Sequence, residues 1–209
     1  MSEIEFLERD HIYLVDGVIT PSVTQIVRTK VDMGYAGVPK ATLERAASYG
    51  NQMHDWVERW LQSGDTDMSS LTKIQQLSAE KLLEMDQLQQ IAQEDVYSEI
   101  PVAYKHLYAG KYDLLVHDPQ SDSYILADIK TTAKFNIDYL EWQLGLYKIA
   151  IEYTHGKEMK FASFYCLWMP KKQLPQLISI QPKTKSDCIK AAEDYRDSRE
   201  EVIPSWLIQ

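Results

Sequence analysis

The chain has 209 residues, 44% of them hydrophobic and 25% charged, with a formal net charge of −9. That length allows one domain with a sizeable core. The acidic balance counts against a protein that coats nucleic acid nonspecifically, since such binding draws on clustered Lys and Arg. No apolar run approaches the roughly 20 residues a membrane span needs, so no membrane contact is expected.

The two cysteines, Cys166 and Cys188, are too few for a disulfide framework or a four-cysteine iron–sulfur cluster. A reduced, cytoplasmic setting follows. The N-terminal MSEIEFLERDH is acidic and has no apolar signal core, so no secretory peptide is expected. Net acidity does not exclude an enzyme acting on nucleic acid: a metal site needs carboxylates, and Lys171-Lys172 offers a local basic patch.

In chain order, Asp16-Gly17 predicts a hairpin turn between His11–Val15 and Val18–Thr20. Ser22 is a plausible N-cap for a short helix over SVTQIVRT. VDMGYAGV, residues 31–38, reads as a loop. A helical pattern runs from near Pro39 to about Gly64, with Gly50 expected to bend or split it. Met53, Trp56, Val57, Trp60 and Leu61 fall on one side of it. A second helix is predicted from about Ser70 to Ile91. Val96–Tyr104 reads as a strand, with Pro101 favouring an edge or bulge.

Two alternating runs, Lys111–His117 and Tyr124–Lys130, flank the turn formers DPQSDS and predict a β-hairpin. A helix capped by Asn136 or Asp138 runs to about Tyr153 and stops at Thr154-His155-Gly156. Phe161–Trp168 and Leu177–Ile180 are strands, and Thr184 to Asp187 opens a last helix to about Val202. This mixed order predicts an α/β fold, a mixed central β-sheet flanked by helices, with an N-terminal β-hairpin.

The central hairpin carries the chemistry. A turn centred on Gln120 and Ser121 sets Asp113 opposite Asp128, and alternation puts Lys130 on the same face as Asp128. Tyr112, Leu114, Val116, Ile125, Ala127 and Ile129 would form an apolar face behind them. Two carboxylates facing across a ladder repel, and a pair so placed costs up to about 1 kcal/mol. A divalent cation between them reverses that sign, and oxygen ligands suit Mg²⁺ or Mn²⁺. The bland alternative is a surface hairpin with scattered charges, and on this pattern alone it stays open. His54 and Glu58 share a helix face, as do Gln143 and Tyr147; alone, each pair reads equally as an ordinary polar face.

Taken in order, His54, Gly110-x-x-Asp113, Asp128-Ile129-Lys130 and Gln143-x-x-x-Tyr147 resemble the RecB-like branch of the PD-(D/E)XK nucleases. The motifs cover roughly residues 45–150, and the element order extends the resemblance to about 168. HIYLVDGVITPSVTQIV is similar to the start of small phage and prophage nucleases of this branch.

The resemblance implies a restriction-endonuclease-like core, about 40–168, inside one domain spanning 1–209. It implies a Mg²⁺- or Mn²⁺-dependent deoxyribonuclease, an exonuclease in phage-type recombination or DNA processing. His54, Asp113 and Asp128, with the main-chain carbonyl of Ile129, would be metal ligands. Asp113, Asp128 and Lys130 would be catalytic, Lys130 positioning or activating water and neutralising charge. Gln143 and Tyr147 would contact DNA and support the site. Glu99 sits where related enzymes often carry a carboxylate, although an exposed strand residue explains it equally.

Implied partners are DNA and a phage single-strand annealing protein, recombinase or helicase, the chain having no G-x-x-x-x-G-K-[ST] motif of its own. Some relatives hold an iron–sulfur cluster, which the two cysteines here cannot supply. Two rival readings remain: a non-catalytic DNA-binding module that keeps the fold, and a subunit active only with its partner. Trp56, Trp60, Trp142 and Trp168 are expected in the core. One of Tyr104, Tyr108 and Tyr112 is a candidate to meet a nucleotide.

Overall fold

The computed structural model describes residues 2–8, 11–32, 34 and 37–200. An N-terminal three-stranded antiparallel sheet comes first, from β1 (Ile4–Leu7), β2 (Ile12–Val15) and β3 (Val18–Thr20). Asp16 and Gly17, at φ 50° and 77°, make the turn that joins β2 to β3, the two left-handed residues a tight hairpin requires. Ser22 then caps α1 (Val23–Lys30). Its hydroxyl accepts from the Gln25 amide, while the Gln25 side chain accepts from the Ser22 amide, which satisfies two otherwise orphaned donors.

α2 (Lys40–Ser63) is continuous through Gly50 and ends at Gly64 in the left-handed conformation. The expected bend at Gly50 is absent. This glycine is needed for close approach, because a Cβ there would meet Thr131 Oγ1 at 2.9 Å.

The single helix expected from Ser70 to Ile91 is two: α3 (Lys73–Leu83) and α4 (Asp86–Ile91). Met85 takes an extended conformation between them. The split lets Leu82, Leu88 and Ile91 all reach the core, while Ile74 and Leu77 stay exposed.

Val96–Tyr104 likewise divides. β4 (Asp95–Tyr97) joins the main sheet, and β5 (Pro101–Tyr104) pairs with β6 (Tyr108–Lys111) in a separate two-stranded sheet. The chain turns between β4 and β5 at Glu99, whose φ is 52°.

β7 (Leu114–Asp118) and β8 (Ser123–Lys130) form the expected hairpin in the expected register, Leu114 opposite Ala127 and Asp118 opposite Ser123. Its first strand does not begin at Lys111, which belongs to β6. The chain changes sheets at Tyr112 and Asp113, so Tyr112 packs in a different core cluster from Leu114 and Val116.

After β8, α5 (Ile137–His155) crosses over to β9 (Phe161–Trp168), which pairs parallel to β8. β10 (Gln176–Ser179) is antiparallel to β9. The five-stranded order is β10-β9-β8-β7-β4: one parallel pair and three antiparallel ones, the mixed α/β sheet expected. α6 (Lys185–Glu200) follows Thr184, whose hydroxyl accepts from the Asp187 amide. The expected extension to Val202 lies outside the described residues, as do Met33, Tyr35 and Ala36 of the expected loop.

Both faces of the sheet are covered. α1, α5 and α6 enclose one apolar cluster with Leu115, Leu126 and Cys166, and α2, α3 and α4 enclose the other with Leu114, Val116 and Ile129. Trp56, Trp60 and Trp168 are buried, as expected, and Trp142 packs at the margin. Tyr108 and Tyr112 are also fully buried and unable to meet a nucleotide; Tyr104 is packed against the same core. Among the described residues no helix is long and apolar enough to cross a membrane.

α5 and α6 meet through Gly145. A Cβ there would lie 2.8 Å from Cys188 Sγ and 3.0 Å from the Lys183 carbonyl oxygen. Gly145→Ala therefore destabilises the fold by about 1–3 kcal/mol through overpacking, although Ala gains about 1 kcal/mol in helix propensity. Thermal unfolding should show a lowered Tm; a raised Tm would mean the helices do not approach so closely.

Candidate active site

The site is built where β8 leaves the sheet. Strand alternation puts Leu126, Asp128 and Lys130 on the face covered by α5. Because β8 is flanked by β7 and β9 and roofed by a helix, Asp128 is buried, with 1% of its surface exposed. Its Oδ1 has no hydrogen-bond partner. Lys130 Nζ lies 2.5 Å from its Oδ2, a close charge-assisted contact.

Burial pushes the Asp128 carboxyl up to about 6 even with Lys130 beside it, and Asp113 adds repulsion. For Lys130, burial opposes the charge, but Asp128 and Asp113 more than offset it and hold the ammonium form above the usual lysine range.

Asp113 precedes β7 by one residue. The hairpin register, continued one step, brings it across from Asp128. Its backbone does not pair there. Instead Asp113 Oδ2 accepts from the Ile129 amide at 2.7 Å, so the carboxylate takes the place of a strand carbonyl. Burial raises its pKa too.

His54 arrives from α2, with Nδ1 3.8 Å from Asp113 Oδ2. Burial, then Lys130, lower its pKa, and the Ile129 main chain lies beside it. The imidazole is thereby kept neutral, which leaves a ring nitrogen available as a ligand.

α5 supplies the remaining wall. Gln143 and Tyr147 are buried on its inner face, and Gln143 Oε1 has no partner. Tyr147 lies against Gly110, where a Cβ would meet Tyr147 Cε1 at 2.9 Å. The glycine two residues before Tyr112 thus makes room for the tyrosine ring. His54, Asp113, Gln143 and Tyr147 line one cleft of about 580 Å³; Asp128 and Lys130 lie behind it in electrostatic contact with Asp113 and His54.

Several lining residues were not singled out in the sequence. Phe6, Glu8, His11 and Tyr13 come from the N-terminal sheet and its first turn, and Asn51 and Asp55 flank His54 on α2. Lys111, counted in the sequence as a hairpin residue, pairs with Glu99 at the same cleft. Glu99 therefore does reach the site, by turning out of the sheet at its left-handed φ. Glu58 orients neither His54 nor an arginine; it accepts from Ser98 Oγ at 3.1 Å, and Arg59 pairs with Asp65 instead.

The donor set suits a hard divalent cation. A buried carboxylate with one oxygen unpartnered, a second carboxylate and a neutral imidazole are oxygen and nitrogen ligands of the right kind. Among the described residues, no three His, Cys, Asp or Glu side chains already stand around a common point as a metal would need. Asp113 is turned to the Ile129 amide, and the Lys130 ammonium lies on Asp128.

A family model for the PD-(D/E)XK nuclease superfamily matches residues 28–204, and the chain belongs to that superfamily. Its mixed sheet with helices on both faces is the restriction-endonuclease-like core of such proteins. Membership supports a nuclease. No curated protein matches the chain. Among solved structures, a protein of Eubacterium rectale provisionally designated an exonuclease is similar at 10% identity and a TM-score of 0.46. That likeness covers 72% of this chain and 65% of the other, just under two thirds of its length. The protein SSO0001 is similar at 15% identity and a TM-score of 0.43, over 84% of this chain and 73% of its own.

Glu58 supplies a pH test. Burial, then Glu99, push its carboxyl from 4.5 up to about 7. Its folded pKa thus exceeds its unfolded one, so the native state loses stability as pH rises from 4.5 to 7, and no more above that. Half-exposure and solvent screening limit the size of the effect. Glu58→Gln should melt above the wild type at pH 8 in EDTA, with the gap closing by about pH 4.5. A wild type more stable than the variant at pH 8 would contradict this environment.

Proposed function

We propose that the chain is a metal-dependent deoxyribonuclease that hydrolyses DNA phosphodiester bonds. The observation that carries this reading is the buried Asp128 carboxylate, its Oδ1 unpartnered and its Oδ2 against Lys130, with a second carboxylate, Asp113, beside it. One ammonium does not balance two buried carboxylates, and a divalent cation would. His54, Asp113, Asp128 and the Ile129 carbonyl are the groups that would hold Mg²⁺ or Mn²⁺. Once bound, that ion supplies an acidified water and charge neutralisation at the phosphoryl oxygens.

The protein's own groups do the rest. Lys130, held as an ammonium, is a donor for a developing phosphorane oxygen rather than a base, which narrows its role to charge neutralisation and positioning. The Ile129 amide fixes Asp113. Gln143 Oε1, lacking a partner, accepts from the substrate, and Tyr147 packs against Gly110 to hold that wall.

We assign the chain to the RecB-like branch on the order of its four motifs, as an exonuclease in phage-type DNA processing. One domain over 1–209, a cytoplasmic setting, and work alongside an annealing protein, recombinase or helicase belong to the same reading. A second reading, a DNA-binding module without hydrolysis, is favoured by one observation: Lys130 already neutralises Asp128.

Digestion of end-labelled linear and circular DNA separates the two. Linear DNA should be degraded with Mg²⁺ or Mn²⁺, spared in EDTA, and cut at least about 100-fold more slowly by Lys130→Ala. Asp128→Asn should be inactive. In EDTA at pH 8 two changes oppose each other, since it removes a buried carboxylate whose folded pKa of about 6 exceeds the ordinary 3.8 but leaves the Lys130 ammonium without its main partner, so circular dichroism should show the variant folded before its inactivity is read. Activity that survives these substitutions or EDTA would defeat the proposed chemistry.

A further inference from the structure

The N-terminal sheet is separate from the five-stranded sheet, yet it lines the same cleft. Phe6 on β1, His11 at the turn before β2, and Tyr13 on β2 all face it. Their rings form one cluster. The Phe6 and Tyr13 centroids are 4.6 Å apart at an interplanar angle of 31°, and Phe6 meets His11 edge-on at 5.1 Å.

Tyr13 is buried and Phe6 half-buried, whereas His11 is exposed. His11 sits at φ 53°, a left-handed conformation uncommon for any residue but glycine, and its amide donates to the Glu8 carbonyl at 3.3 Å. His11 therefore presents an exposed ring at the cleft.

The cluster connects to the chemistry by two routes. Lys111 Nζ lies 4.7 Å over the Phe6 ring and pairs with Glu99. Tyr13 is an electrostatic neighbour of Tyr147, which is in turn a neighbour of Asp113.

The lining is poorly suited to gripping a duplex by its phosphates. Among the described lining residues, Glu8, Asp55, Glu58, Glu99 and Asp113 contribute five carboxylates, while Lys111, the one lysine among them, is already paired with Glu99. Backbone binding needs several cationic contacts, each adding to the salt dependence. Base faces are neutral, and they stack on aromatic rings whatever the sequence. The cleft of about 580 Å³ is the size that encloses a small ligand or a few nucleotides.

We propose that His11, held by the Phe6–Tyr13 pair behind it, forms a base-stacking subsite, so that DNA reaches Asp113 and Asp128 as a single strand with one nucleobase laid against the exposed His11 ring. The proposal rests on the nuclease reading of this cleft and adds its substrate class. The N-terminal sheet then sets strand preference, and the central sheet supplies the hydrolytic groups.

The test is binding of a single-stranded deoxyoligonucleotide carrying 2-aminopurine, and of the matching duplex, with Ca²⁺ in place of Mg²⁺. The variants are His11→Ala, at an exposed position, and Phe6→Leu, which keeps apolar volume but removes the ring. The wild type should quench the single strand's fluorescence and bind it more tightly than the duplex. Its salt slope should be about −1, as for one or two phosphate contacts. Each variant should weaken single-strand binding about tenfold, lose the quench, and raise KM with kcat retained.

Undiminished quench and affinity in both variants would overturn the subsite, and tighter duplex binding would overturn the strand assignment. A wild type that quenches in this His11-dependent way but cuts no DNA with Mg²⁺ or Mn²⁺ would sink the nuclease reading and leave the subsite standing. Cutting with no dependence on either ring would do the reverse.

Discussion

A buried carboxylate and a largely buried ammonium group stand together at the end of β8, where the carboxylate would not settle alone. Asp128 is buried because β8 is flanked by strands on both sides and covered by α5. Taking such a charge out of water costs several kcal/mol. Lys130, on the same side of the strand two residues on, offsets part of that cost at Oδ2, but leaves Oδ1 without a partner. Asp113 worsens the balance by bringing a second carboxylate to the end of the neighbouring strand. Local structure thus concentrates negative charge where packing alone would choose leucine. The imbalance is the physical basis for expecting a cation there.

The surrounding elements hold that concentration in place. The Ile129 amide fixes Asp113, so the carboxylate is positioned by the backbone of the strand that carries Asp128. Gly50 lets α2 approach Thr131, and Gly110 lets Tyr147 approach β6, where the missing Cβ closes a wall of the cleft. α2 packs mainly on the opposite face of the sheet, yet its His54 reaches Asp113 at the sheet's end. The cleft is therefore a junction of both helical layers and the N-terminal sheet, the sort of concave, multi-element setting in which binding sites form.

Much of this was legible in the sequence, for identifiable reasons. β8 and α5 were readable because pattern, caps and length agree: an apolar run that ends in Asp128-Ile129-Lys130, Asn136 as N-cap, Gly156 as the left-handed stop. The hairpin register followed from turn chemistry, and with it the meeting of Asp113 and Asp128. Lys111 misled because alternation runs unbroken across Tyr112 and Asp113 while the chain changes sheets there; polarity carries no signal for such a switch. α3 and α4 merged for a similar reason, since Met85 interrupts the helix without any side-chain cap. His54, Gln143 and Tyr147 drew their meaning from the resemblance, not from spacing. The aromatic face of the N-terminal sheet was invisible, because its proximity to Asp113 is wholly tertiary.

Calorimetric titration with Mn²⁺ tests the central claim most directly. If the buried carboxylates exist to hold a cation, the wild type binds Mn²⁺ and releases heat, and Asp128→Asn abolishes the binding while remaining folded. A wild type that takes up no Mn²⁺, or a variant that binds it as the wild type does, would show that the charge cluster around Asp128 serves something other than metal chemistry.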